Sequence, residues 1–487
     1  VPIQNVYARG GFNKSFGDEG NFGARYTFSR TIPQMAGLYF DGAVFEKTGN
    51  TETLINEFTS DWVAGNGISS HSVNAYFTGR LASWLSLKVD ADYAHGVTTM
   101  HQDATTETAA DDNTQQVITN QLQDYDLYAA KATFTSPLWG SAITYGGEYS
   151  HTYNANSFEV PQQGGTILTS AGNSSKQNLA AGFVSFSKPF GRFNVDLGLR
   201  YEYTGFDYFD ENGTKTDESK TYGRFFPSAG ITYSGDQVQL MFAYRNTIYR
   251  PSYYQLRQGL QYDTPYLYEG GNPLLKPSYT NSISLQGMWK KLMLSATYKM
   301  YNDKIIWDIS PDSNNEEILI MRSQNLSSAQ SLNITANYTL NLGFYTVMPT
   351  VSFSKDFISY NGMTFNEPYW QLMLQNSFQL PWGMQAGINL MCVTTGNTDM
   401  QEIASPLYRT NVRLSKTFLD NKLRVNLSGS DIFNQNNRHI IQKQMNGQVQ
   451  QWIDTNGTNV QMTITYNFNA TRSKYKGERS TNEFNRL

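Results

Sequence analysis

The sequence alternates apolar and polar residues along most of its length. In residues 193–203 the odd positions are apolar or aromatic, from Phe193 to Tyr203, while the even positions include Asn194 and Asp196. The same alternation recurs in residues 85–93, 238–244, 332–340, 370–380, 384–392 and 460–468. Because successive side chains of a strand point to opposite faces, each segment predicts a strand with one apolar and one polar face.

The predicted strands are joined by connections that alternate between short and long. The short ones lie at Pro33–Gly37, Ala82–Trp84, Pro137–Gly140, Pro189–Arg192, Gly235–Gln237, Lys290–Lys291, Asn341–Gly343, Pro381–Gly383 and Leu419–Lys422. The long polar ones lie at 47–70, 96–123, 153–176, 206–221, 250–278, 309–325, 356–368, 394–406 and 435–457. Short periplasmic turns, long extracellular loops and about 20 strands are typical of an outer-membrane barrel. We therefore expect an all-β fold, a large transmembrane antiparallel up-and-down β-barrel.

Aromatic residues support this interpretation independently. They lie at or beside the short connections, at Trp84, Trp139, Phe190, Phe193, Trp289, Phe344, Trp382 and Phe418. In a membrane barrel they would form the periplasmic aromatic girdle, although aromatic residues also flank turns in other β proteins. The polar face would then line the interior against water or a plug, through Lys88, Asp90, Asp92, Asn194, Asp196, Arg200 and Glu202.

Composition excludes several classes of protein. Lys and Arg total 37 against 41 Asp and Glu, a net charge of −4 that argues against nucleic acid as a partner. The single cysteine, Cys392, excludes an internal disulfide framework. No run of about 18 apolar residues predicts a transmembrane helix. The start at Val1 carries no signal-peptide pattern, so either a signal has been removed or the chain begins inside a larger protein.

Several motifs resemble a known family. Arg250–Ser252, followed by a Tyr-rich loop and Gly271–Ser278, resembles the Arg-Pro and Gly-Asn-Pro-x-Leu-Lys-Pro-Glu motifs of TonB-dependent receptors, with Ser278 in place of the usual Glu. The stretches Asp431–Asn434 and Tyr466–Gly477 are similar to the related Bacteroidetes outer-membrane β-barrel family. The resemblance implies a barrel of 22 strands with an N-terminal plug, as in 22-stranded outer-membrane transporters.

No plug or TonB-contacting box is recognisable in this sequence. We therefore expect the C-terminal barrel portion of a longer protein, with residues 1–469 forming the barrel and its long extracellular loops. Residues 470–487 would form a periplasmic C-terminal tail that is flexible or docks a partner. The alternative is a natural plugless barrel.

The resemblance implies an integral outer-membrane protein that takes up a bulky nutrient, with TonB pulling on a plug to open the path. The alternatives are a structural or interaction subunit of an outer-membrane complex, or a passive channel. Expected partners are outer-membrane lipid and lipopolysaccharide, TonB through a plug, and other outer-membrane or lipoprotein subunits. Because no nucleophile elbow, His-Glu-x-x-His or P-loop motif occurs, we expect neither an enzyme nor a cofactor.

The candidate ligand-binding residues lie in the loop after Tyr249. They are Arg250, Tyr253, Tyr254, Arg257, Tyr262, Tyr266 and Tyr268. Aromatic faces and guanidinium groups suit sugars, peptides or siderophores in an extracellular vestibule. The alternative is that these tyrosines pack long loops against one another.

The sequence predicts no metal site. Among the histidines, His95 and His101 come nearest to ligand spacing. The stretches Asp210–Thr214 and Asp454–Thr458 resemble calcium-binding turns, but a polar turn with glycine at positive φ is the favoured interpretation.

Overall fold

The computed structural model describes residues 4–17, 20–32, 35–48, 51–109, 113–444, 447–454, 457–468 and 475–487. Strands β1 to β9 are Gln4–Ser15, Gly20–Ile32, Ala36–Thr48, Thr51–Ala82, Leu85–Thr108, Asn113–Leu138, Ser141–Gln162, Ala171–Phe190 and Phe193–Phe209. Strands β10 to β19 are Lys220–Ser234, Val238–Tyr249, Leu260–Thr264, Leu267–Gly270, Ser278–Trp289, Leu292–Pro311, Leu319–Tyr338, Leu340–Leu342, Tyr345–Tyr360 and Met363–Phe365. Strands β20 to β28 are Tyr369–Leu380, Met384–Val393, Gly396–Thr398, Gln401–Ile403, Leu407–Phe418, Leu423–Ser430, Arg438–Gln444, Gly447–Ile453 and Asn459–Tyr466. Two short 3₁₀ helices span Pro381–Gly383 and Glu483–Arg486.

The wall is one antiparallel up-and-down sheet. Its hydrogen-bonded order is β1, β2, β4 to β11, β14, β15, β16, β18, β20, β21, β24, β25 and β28, or 19 wall strands in the described residues. A separate four-stranded sheet contains β22, β23, β26 and β27. The predicted fold class is confirmed, because neighbours in sequence are neighbours in the sheet.

The short connection predicted at 33–37 is wrong. Strand β2 pairs with residues 68–79 of β4, and β3 pairs with residues 51–64 of the same strand. The two strands therefore continue one another along β4 and do not form a hairpin. Pro33 and Gln34 themselves lie outside the described residues. The first short turn instead follows Ser15, between β1 and β2.

Several of the predicted long loops are largely strand, and two of them almost entirely so. The stretches 47–70 and 96–123 belong mostly to β4, β5 and β6, which have 32, 24 and 26 residues. These strands are far longer than the ~10 residues that cross a membrane. Polar residues do not end a strand whose backbone remains paired, so the hairpins extend beyond the apolar band.

The two faces of the wall differ as predicted. On β9, Leu197, Leu199 and Tyr201 are exposed on the outside, whereas Glu202 and Thr204 are buried on the inside. At the end with the short turns, Trp139 and Trp382 project outward and are 75% and 80% exposed. No helix in the described ranges is sufficiently long and apolar to cross a membrane.

Candidate functional site

The loop of residues 250–277, here called the mouth loop, folds into the opening of the barrel. Within the loop, β12 and β13 form a hairpin. Residues 267–270 of β13 pair in parallel with residues 319–322 at the start of β16. On the wall strands β4 and β5, Asn56 Nδ2 donates to the Tyr266 hydroxyl over 2.6 Å, and Gln102 Nε2 donates to the Tyr262 carbonyl oxygen over 2.8 Å. The Tyr262 hydroxyl is also 2.8 Å from Thr106 Oγ1. The mouth loop is therefore held to strands that are distant from it in sequence.

Apolar packing reinforces these hydrogen bonds. The rings of Tyr262 and Tyr268 meet edge to face with centroids 5.7 Å apart, an arrangement favoured by the ring quadrupole. The buried cluster around them consists of Trp62, Ala104, Val117, Leu168, Ile318 and Ile320. These residues come from several wall strands and loops, so the cluster closes part of the mouth.

Most predicted ligand-binding residues are structural in this conformation. Tyr253, Tyr262 and Tyr268 have at most 1% of their surface exposed. Tyr266 is half-buried on Asn56, whereas Tyr249 projects to the outside. The alternative that tyrosines pack the loop accounts for these contacts, and direct ligand contact stays a prediction.

Tyr254 and Arg257 form a small polar group with Glu269. Arg257 Nη2 donates to Glu269 Oε1 over 2.9 Å, and its guanidinium carbon lies 3.7 Å from the centroid of the Tyr254 ring. The Tyr254 hydroxyl donates to the same carboxylate oxygen over 3.0 Å. Nearby, burial raises the pKa of Asp263 to about 7, and the negative charge of Glu269 acts in the same direction. The mouth loop therefore contains a carboxyl group that titrates near neutral pH.

Residues 475–487, here called the luminal strap, lie against the polar inner face. At one end, the backbone N–H groups of Glu478 and Ser480 donate to Asp90 Oδ1 and Asp92 Oδ2, over 2.8 Å and 2.6 Å. Asn74 Nδ2 donates to the carbonyl oxygen of Glu478 over 3.0 Å. This position differs from the periplasmic tail predicted for 470–487, because inward-facing side chains provide partners for the backbone of the strap. Residues 470–474 lie outside the described part of the chain.

The other end of the strap joins the mouth loop through buried charges. The carboxylate of Glu483 accepts hydrogen bonds from Gln177 Nε2 and Arg486 Nη1, both over 2.7 Å. Arg250 Nη1 lies 3.7 Å from the same carboxylate, at Oε1. Arg486 Nε donates to the carbonyl oxygen of Pro251 over 2.8 Å. The strap thus connects the inner wall to the first residues of the mouth loop.

A group of possible metal ligands lies on the outer face of β5 and β6. His95 Nδ1 is 3.6 Å from Asp124 Oδ1 and 3.4 Å from Asp126 Oδ1. His101 instead pairs with Asn120. At the turn predicted to resemble a calcium site, Asp210 Oδ1 accepts the N–H groups of residues 212 and 214, which is turn capping. The second such turn, 454–458, includes residues 455 and 456 outside the described ranges.

Comparison with protein families identifies the class of barrel. The profile of the outer membrane protein beta-barrel family matches residues 85–467. The chain belongs to this family. Membership confirms the predicted integral outer-membrane location and the resemblance on which it was based. Comparison with curated proteins gave no match.

Solved structures of import receptors share the fold. The chain is similar to the ferric-catecholate import receptor Fiu of E. coli K12, with 10% identity and a TM-score of 0.57, over 95% of this chain and 80% of that one. It is also similar to the F5-1 variant of the FrpB iron transporter of Neisseria meningitidis, with 12% identity and a TM-score of 0.53, over 95% and 82% of the two chains. At such identity the similarity establishes the fold alone.

Sequence reasoning missed the residues that join the strap to the wall. It identified Asp90, Asp92 and Glu202 only as members of a polar face, and assigned Glu483 and Arg486 to a tail outside the barrel. The signal available in the sequence was the pair of carboxylates on the inner face of β5, Asp90 and Asp92. Carboxylates that are not hydrated need hydrogen-bond donors from the protein. A single sequence does not indicate that a segment almost 400 residues away supplies them.

Proposed function

We propose that this chain forms the wall and vestibule of an outer-membrane transporter that takes up a bulky nutrient by gated passage. In this proposal a plug pulled by TonB opens the path, and the mouth loop contacts the ligand on its way in. Support comes from the family and from the fold shared with a ferric-catecholate import receptor and an iron transporter.

The observation that carries the proposal is the partly closed mouth. The hairpin β12–β13 is bonded to β4 and β5 through Tyr262 and Tyr266, and the strap lies against the inner wall below it. A passive pore requires an unobstructed water path, whereas here the mouth loop and the strap occupy part of the path that a bulky solute would take. Gating is therefore favoured over free diffusion.

Two measurements test this function. The purified protein in a planar lipid bilayer should show no steady conductance, and frequent long openings of the wild type would support a passive channel instead. Cells that express the intact gene product should take up a radiolabelled ferric catecholate, or grow on solutes above the porin size limit, only when the membrane is energised. Uptake that continues after collapse of the proton-motive force would remove the TonB assignment.

Affinity purification distinguishes the second candidate, an interaction subunit. A barrel that always purifies with other outer-membrane or lipoprotein subunits, and that supports no solute-dependent growth, would favour that alternative. A barrel that purifies alone and transports would exclude it.

A further inference from the structure

The inner face of β5 is matched to an extended peptide backbone. Asp90 and Asp92 are two residues apart on one face of the strand, and they accept the N–H groups of Glu478 and Ser480, which are also two residues apart. Side chains on one face of a strand and alternate N–H groups of an extended chain share a repeat of about 6.7 Å. Strand and strap are therefore in register, and Asn74 completes the match by donating to the carbonyl oxygen of Glu478.

Around Glu478 and Ser480 the wall contacts the main chain of the strap. Tyr475, at the start of the strap, is instead contacted through its side chain, because its hydroxyl donates to the carbonyl oxygen of Asn74 over 3.0 Å and its ring meets Tyr76 edge to face. Ser480 is almost fully buried and its N–H is bound, but its hydroxyl has no hydrogen-bond partner among the described residues. The Glu478 side chain is largely exposed and contacts only the edge of the site, at Lys88. Backbone recognition is compatible with many sequences, as when an extended peptide is added to a sheet edge.

The far end of the strap is contacted through two buried side chains, Glu483 and Arg486, and both of them bond to Gln177. Three residues beyond Ser480, Glu483 is 3% exposed, and its carboxylate faces Gln177 at 2.7 Å and Arg250 at 3.7 Å. Gln177 on β8 and Arg250 at the start of the mouth loop are both hydrogen-bond donors, and Arg250 is charged. The wall therefore combines a ladder for an extended backbone with a pocket for one acidic side chain.

We propose that the inner wall carries a binding site for peptides with an extended stretch and one carboxylate side chain, and that the luminal strap occupies this site in cis. The ligand is a segment that is extended over the positions of Glu478 to Ser480 and then turns, which places a carboxylate three residues beyond Ser480, as in the strap. A tethered segment acts at a high effective concentration, so a free peptide binds only when the strap is displaced. The further statement that such a peptide is the imported cargo rests on the uptake function proposed above. The existence of the binding site does not depend on that function.

The test uses the full-length protein in detergent and a fluorescein-labelled synthetic peptide with the sequence of residues 475–487. Proline has no N–H, so the double substitution Glu478→Pro and Ser480→Pro removes both donors to the aspartate ladder. The control, Arg479→Pro, introduces proline between them, where the N–H makes no hydrogen bond to the wall in the described residues. Fluorescence anisotropy should show at least tenfold tighter peptide binding to the double variant than to the wild type or the control.

A second measurement reports the strap itself. Thr481 is buried on the strap, and in a Cys392→Ser background a Thr481→Cys substitution should react with a maleimide faster in the double variant than in the control. Faster labelling without peptide binding would mean that a displaced strap leaves no site able to bind the same sequence as a free peptide, and would overturn the proposal. No change in either measurement would show that the strap is a fixed part of the wall, which also overturns it.

The ladder is tested in the double-proline background. Replacing Asp90 and Asp92 with alanine should abolish peptide binding, whereas Asp196→Ala, on the inner face of β9, should preserve it. If the peptide still binds tightly after Asp90 and Asp92 have been replaced, it binds somewhere else and the proposed site is refuted. Because none of these measurements uses uptake, loss of the site and loss of energised transport are distinguishable outcomes.

Discussion

Arg250 Nη2 lies 2.5 Å from Glu202 Oε2, so the first residue of the mouth loop is ion-paired with the inner face of β9. Both side chains are about nine-tenths buried. The same guanidinium donates through Nε to the Tyr222 hydroxyl over 3.2 Å and faces Glu483 of the strap. Wall, mouth loop and strap therefore meet at a single arginine.

Replacing this arginine should destabilise the barrel strongly. Arg250→Met leaves the carboxylates of Glu202 and Glu483 without their shared cation, and breaking a buried pair in this way costs about 3 kcal/mol. The measurement is the denaturant midpoint of unfolding in detergent micelles. The control is Arg192→Met, because the pair of Arg192 with Asp236 lies on an exposed turn and contributes less than about 1 kcal/mol. Equal effects of the two substitutions would contradict the structural role of Arg250.

The mouth loop should be more stable in acid than in base. In the folded loop the pKa of Asp263 is raised to about 7 from its ordinary value of 3.8. The protonated carboxyl group therefore stabilises the folded loop fully below pH 3.8, and this stabilisation is lost as the pH rises through 7. Local opening of β12–β13 should therefore be about tenfold more frequent at pH 8 than at pH 6. Hydrogen exchange corrected for intrinsic rates measures this ratio. Asp263→Asn should abolish it, and an unchanged ratio in that variant would assign the pH dependence to another group.

Removing a central ring should open the mouth. Tyr262→Ala deletes a fully buried aromatic side chain together with its hydrogen bond to Thr106, and a truncation of this size costs about 3 kcal/mol or more. We expect single-channel openings in planar bilayers that are absent from the wild type. Tyr249→Ala is the matched control, because that ring is exposed on the outside. Similar conductance of the two variants would disprove closure by the hairpin.

An added charge should destabilise the barrel on the outer face of a wall strand far more than on its inner face. Leu199 is exposed on the outside of β9, and Leu199→Arg places a charge in lipid at a cost of about 2–4 kcal/mol near the midplane. Asp196→Arg adds the same side chain to the inner face of the same strand and should change stability far less. Folding yield into lipid vesicles measures the difference. Equal yields would refute the assignment of the outer face to lipid.

Much of the fold was predictable because it depends on local pattern. Residues 193–203 alternate so regularly that both faces of β9 were evident, and the turn at Trp139 and Gly140 has the positive φ angles, 50° and 74°, of a tight hairpin. The error at 33–37 arose because Pro33 and Gly37 are typical turn residues. Whether a chain bends back there depends on which strand it pairs with, and β4 is long enough to pair with both halves.

The candidate site was predictable only in part. The sequence indicated a loop after Tyr249 that is rich in tyrosine and arginine, and in the structure this loop is the mouth loop, whose contact with a ligand stays a prediction. It did not indicate that Tyr262 would be buried against Thr106, or that Glu483 would be buried beside Gln177, because these partners are separated by more than 150 residues.

The sequence by itself determined that the chain forms a membrane barrel, since side chains two residues apart share a face and most wall strands pair with the next wall strand along the chain. Only the tertiary structure decided what occupies the interior. Contacts across the lumen depend on curvature, strand length and register accumulated over many strands, and a polar side chain such as Asp92 is equally compatible with water and with the backbone of a distant segment.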